Sequence, residues 1–228
     1  MTRVLGTAAK VDLRNLLFNL GVQALREQGW TVERAAGLGK SSVRRISKAG
    51  EKPLLVSIRT TQDTAIAFPR EKDDKSWVTL SDVDYVLAVS VDDAYNPRFA
   101  QAHMIPGKEM RDRFDRAYAA RRKAGHSIPL GRGVWVSLYT PDSNETPTHV
   151  GGGAGLAHAP IKRVPLDSPG LDRTPHWQPA NGGSPGLPNS PVIETGGQES
   201  GISISEAKRL LGIHLGIDPS QIKITVEA

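Results

Sequence analysis

Leu54-Leu55-Val56-Ser57-Ile58-Arg59-Thr60-Thr61 alternates with the period of a strand. Leu54, Val56 and Ile58 point to one face, and Leu55, Ser57 and Arg59 point to the other. Upstream, Ser42 to Ser47 reads as a shorter strand, and Gly50-Glu51-Lys52-Pro53 closes a hairpin between the two. A further strand, Trp30 to Ala36, precedes a turn at Gly37 and Gly39. Before it, apolar residues at 13, 16, 17, 20, 24 and 25 predict an amphipathic helix from Val11 to Gln28, which Gly29 ends. Downstream, Tyr85 to Val91 is almost wholly apolar, as expected of a central strand covered on both faces. Phe99 to Ile105 is expected to pair beside it. Lys108 to Lys123 forms a second helix with Met110, Phe114, Ala117 and Tyr118 inward. Its other face carries Arg111, Arg113, Arg116, Arg122 and Lys123 among Asp112 and Asp115. Val134 to Tyr139 is a last strand. The order predicts an α/β domain, residues 1–139, with a mixed sheet flanked by helices.

Beyond residue 139 the composition changes. From Thr140 to Gly201, 34 of 62 residues are Gly, Pro, Ser, Thr or Asn, which predicts a flexible linker over 140–201. His149-Val-Gly-Gly-Gly-Ala-Gly-Leu156 has the glycines of a phosphate-cradling loop but lacks the Lys-Ser/Thr that holds a nucleotide, so it is assigned to the linker. Residues 202–228 read as a small helix–strand unit. Ser203 and Glu206 make a capping box, Ala207, Leu210, Leu211 and His214 share a helical face, and Ile222, Ile224 and Val226 alternate after Asp218-Pro219. So short a unit cannot bury a core alone and needs another protein or a second copy to dock on.

The 228 residues contain no cysteine, which excludes disulfides, thiolate metal sites and a cysteine nucleophile. No apolar run is long enough to span a bilayer, and MTRVLGTAAKVDLRN has no apolar core of a secretory signal. A soluble, cytoplasmic protein with no membrane partner is expected. Residues 1–125 hold 22 Lys or Arg and 15 Asp or Glu, against 7 and 9 in the remainder. The basic excess therefore belongs to the first domain and suits a polyanion.

Several motifs fall short of a catalytic assignment. Gly39-Lys40-Ser41 is P-loop-like, but Arg34 stands where the first glycine is needed and no long helix follows. No Gly-x-Ser-x-Gly elbow occurs, and the six histidines form no i, i+4 pair. Asp82, Asp84, Asp92 and Asp93 flank one strand, where turns explain them as well as a cation does. No metal ligand set is assigned.

The succession of helix, strand, hairpin and Val56-Ser57-Ile58-Arg59-Thr60-Thr61 resembles the PD-(D/E)xK restriction-endonuclease-like superfamily. There the third strand carries a carboxylate or Gln, an apolar residue and then Lys, so that residues two apart reach one Mg²⁺-dependent site. The resemblance covers about half the chain and implies a nuclease-like fold. In place of the family's Asp near the hairpin stands Ser41-Ser42-Val43-Arg44, Ser57 replaces the carboxylate, and Arg59 replaces the Lys. Arg59 stays protonated and cannot act as a base. The resemblance therefore implies a catalytically degenerate relative that needs no cofactor and binds a DNA or RNA backbone through Arg44, Arg45, Lys48 and Arg59. Two alternatives stand beside it. One is an adaptor with no nucleic-acid role. The other is a Mg²⁺-dependent nuclease with displaced carboxylates, for which Glu27, Glu33 and Asp63 are the candidates.

Overall fold

A computed structural model describes residues 8–35, 42–129 and 131–174. Helix α1 (Ala8–Glu27) leads into β1 (Thr31–Arg34), β2 (Val43–Ser47) and β3 (Leu54–Thr61). β4 (Ala65–Pro69) and a 3-10 turn (Leu80–Asp82) precede β5 (Tyr85–Val91), β6 (Phe99–Pro106) and α2 (Gly107–Lys123). β7 (Gly133–Ser137), the short α3 (Ala154–Ala157) and β8 (Lys162–Pro165) follow. Six strands form one sheet in the order β1-β2-β3-β5-β6-β8. Neighbours are antiparallel except β3 and β5, whose parallel register pairs Ser57 with Val86 and Arg59 with Ala88. The sequence-derived α/β class with a mixed sheet is what the chain forms.

The sheet separates two apolar layers. On one face Leu17, Phe18, Leu20, Ala24 and Leu25 of α1 pack over Val56, Ile58, Leu87 and Val89. On the other, Val86, Ala88 and Ile105 meet Met110, Phe114 and Ala117 of α2 together with Phe68, Trp77 and Val136. β5 therefore has no polar face, because successive residues enter different cores, each large side chain contributing roughly 1.5–3 kcal/mol. Gly21 lets α1 approach closely: a Cβ there would stand 2.9 Å from Val89 Cγ2.

The last expected strand does not join the main sheet. β7 pairs with β4 in a separate two-stranded ribbon, matching Ala67 to Trp135. β4 lies in the crossover that any parallel β3–β5 pair requires.

The linker expected over 140–201 is corrected for residues 140–174. Here Val150 to Gly155 is buried, and β8 extends the sheet against β6 from Phe99–Pro165 to Ala102–Lys162. The glycines serve close approach rather than freedom. A Cβ on Gly151 would lie 2.3 Å from Arg113 O, and one on Gly152 would lie 2.5 Å from Thr140 O. Arginines of α2 hold this segment. Arg113 donates to Gly152 O and Gly151 O, Arg116 pairs with Asp142 at 2.7 Å, and Arg121 Nη2 donates to Trp135 O at 2.6 Å and Thr148 O at 3.2 Å. A buried polar chain adds a second tie. His103 Nδ1 donates to His158 O (2.7 Å), so its Nε2 accepts from Tyr139 OH (2.9 Å), which in turn accepts from Ser90 Oγ (2.7 Å). The Gly39-Lys40-Ser41 motif, the remainder of the expected linker from 175 to 201 and the helix–strand unit at 202–228 lie outside the described residues.

Candidate functional site

The C-terminal end of β3 opens into a cleft of about 850 Å³. Arg59 forms its floor, and Lys10 and Arg14, one helical turn apart on α1, form a wall. Thr60 to Asp63 continue from β3, Ala94, Tyr95 and Pro97 enter from the β5–β6 loop, and Trp135 closes the side on β7. Gln62 Nε2 donates to Lys10 O and ties the strand end to the first turns of α1.

Arg59 is the most perturbed cation here. Its guanidinium lies 4.2 Å from the Phe68 ring centroid, and its buried Nε has no hydrogen-bond partner among the described residues. Burial lowers its pKa to about 10, so the side chain remains charged at neutral pH. A partly buried cation with no carboxylate partner among the described residues favours an incoming anion, which would supply an acceptor.

Two aromatic side chains accompany the cations. β7 buries Val134 and Val136, and strand alternation turns Trp135 outward, where it is 59% exposed. Tyr95 is 100% exposed. Its loop is built by two carboxylates. Asp93 Oδ1 accepts from the Tyr95 and Asn96 amides, and Asp92 Oδ1 accepts from those of Arg98 and Phe99. Asp84 likewise accepts from Leu55 N at 2.8 Å. These aspartates shape turns, and no group of three His, Asp or Glu side chains gathers among the described residues.

The residues singled out from the sequence are spread across the fold. Arg44 is 8% exposed on the α1 face of β2, its guanidinium 4.7 Å from the Phe18 ring and its Nη1 on Val43 O. Arg45 is exposed on the opposite face, level with Glu33. Lys48 covers the Trp30 ring at 4.4 Å. Of the four expected phosphate contacts, Arg59 alone lines the cleft. The candidate carboxylates are also apart. Asp63 lines the cleft and accepts from Thr64 N, whereas Glu27, at the far end of α1, receives Lys162 Nζ at 2.5 Å. From Lys10 to Glu27 the helix runs about 25 Å at 1.5 Å per residue. Ser57 is fully buried, with its Oγ unpaired among the described residues, and does not line the cleft. One carboxylate among three cations does not fit a Mg²⁺ ion, which needs oxygen ligands of net negative charge.

Sequence reasoning missed Lys10, Arg14, Tyr95 and Trp135. The i, i+4 spacing of the first two was a usable signal, as was a tryptophan between two valines in a strand. Their convergence depends on the crossover that brings β7 beside the end of β3. No family model matches this chain, and neither does any curated protein or solved structure.

Proposed function

We propose that this chain binds nucleic acid through backbone phosphates at the cleft, on a nuclease-like core that has lost its acidic ligands. The observation that carries the reading is the convergence of Lys10, Arg14 and Arg59 on one concavity, where the buried Arg59 Nε has no hydrogen-bond partner among the described residues. Support for the core comes from its order. A helix precedes three antiparallel strands, and the next strand of the sheet runs parallel to the third. It departs from the resemblance in that the crossover carries β4 and a 3-10 turn, with no helix. Binding without cleavage follows from Ser57 and Arg59 at the positions of the family's carboxylate and lysine.

The test is a titration of the full chain against labelled DNA and RNA at two salt concentrations, with and without Mg²⁺, and with the products resolved on a gel. Salt-sensitive binding and intact nucleic acid are expected. Lys10→Ala with Arg14→Ala should reduce the log–log salt slope by roughly 1.4–1.8, at about 0.7–0.9 per phosphate contact. Cleavage would return the argument to Asp63 and Glu33, and absence of binding at low salt would remove the reading. Its competitor is the adaptor, favoured by the dispersal of Arg44, Arg45 and Lys48 over separate faces. Retention of full nucleic-acid-free function by the Lys10/Arg14 double variant in a partner-capture assay would favour that alternative.

A further inference from the structure

Resting on that reading, we infer that the nucleic acid is single-stranded and crosses Trp135, with a base stacked on the indole, from the Arg59 cleft into a second groove. This groove has a volume of about 700 Å³ and shares Ala65 and Trp135 with the first cleft. His126, Arg132 and His149 line its far part. The exposed indole therefore marks the junction of two concavities that both carry basic side chains.

The platform is held before any ligand arrives. Val134 and Val136 anchor β7 in the core on either side, and Arg121 Nη2 grips the Trp135 carbonyl at 2.6 Å. A backbone fixed beneath the indole confines the freedom lost on binding to one side chain, which suits a stacking site. Tyr95, fully exposed at the other wall of the first cleft, offers a second ring. A duplex covers the faces of its bases with their neighbours and presents phosphates and base edges, not open faces. Cations together with open rings match a strand whose bases are free.

The experiment compares the full chain with Trp135→Ala, Trp135→Phe and Lys10→Ala/Arg14→Ala. Anisotropy is read on labelled oligothymidylates of roughly 6 and 15 nucleotides, a span set by known single-strand site sizes, and on a duplex of the longer length. The wild-type chain should prefer the longer single strand to the duplex at matched salt. Trp135→Ala should weaken single-strand binding roughly 5- to 140-fold, the range for one stacked base. Its salt slope should stay unchanged, because the indole carries no charge, and Trp135→Phe should recover most of the loss. Equal wild-type affinity for single strand and duplex would overturn the inference, as would Trp135→Ala binding like wild type, while salt-sensitive binding lost in Lys10→Ala/Arg14→Ala would leave the phosphate reading standing. No salt-sensitive binding to either form would overturn both.

Discussion

At the scale of single residues, the proposed binding role of Arg59 would set stability against binding. Burial disfavours its charged form, and no carboxylate among the described residues offsets that cost. Arg59→Met keeps the aliphatic bulk over Phe68 and removes the charge. It is expected to stabilise the fold by roughly 0.5–2 kcal/mol, the usual gain when a functional site is relieved of its strain. Nucleic-acid affinity should fall in the same variant, so urea midpoints and titrations should move in opposite senses. Gly151 illustrates the reverse case. Its φ of +83° and the Arg113 carbonyl 2.3 Å from a prospective Cβ leave no room for a side chain. Gly151→Ala should destabilise by roughly 1–3 kcal/mol from backbone strain alone, read as a shift of the urea midpoint.

At the scale of elements, α2 carries arginines whose work is structural. Arg111 donates to Leu80 O and Val83 O, and Arg113, Arg116 and Arg121 clasp the segment from Trp135 to Gly152. The pattern of inward apolar residues on this helix was legible in the sequence, and so were α1 and strands β1, β2, β3, β5 and β6, whereas β4 was not. What the arginines reach was not legible, because their acceptors are backbone carbonyls that no residue type announces. The 140–174 segment was misread for a related reason. Composition counts glycine as conformational freedom, whereas here it permits backbone contact with α2 and with Thr140. The cleft was half legible: Arg59 followed from strand alternation, but its neighbours depended on chain segments far away in sequence.

The buried tie between β6 and this segment carries a pH dependence. Desolvation lowers the pKa of His103 below its ordinary value of 6.5, although the His158 carbonyl partly opposes the shift. The folded state then binds fewer protons than the unfolded state as the pH falls below about 6.5. Stability should therefore be lost from there down through the lowered pKa and change no further below it. His103→Gln should flatten that part of a melting-temperature profile between pH 7 and pH 5, and an unaltered profile would contradict the assignment of the loss to His103.

For the whole molecule, the basic excess of residues 1–125 does not translate into an evenly basic surface. Many of its arginines are committed to carbonyls, rings and carboxylates, while Lys10, Arg14 and Arg59 line one cleft at the end of β3. The boundary of the folded unit also moves. A chain cut after residue 139 loses β8 and leaves β6 as an open edge, which promotes association between copies. Such a chain should aggregate on size-exclusion chromatography, while one cut after residue 180 should elute as a folded species; a well-behaved 1–139 fragment would contradict the structural role given to residues 140–174. The pairing of β6 with β8 has a temporal consequence as well. Phe99 must wait for Pro165, which leaves the ribosome 66 residues later (165 − 99). At roughly 5–20 residues per second that interval lasts some 3–13 seconds. Throughout it, the nascent chain presents one open edge of β6 to its neighbours on the same message, and slower translation should lower the yield.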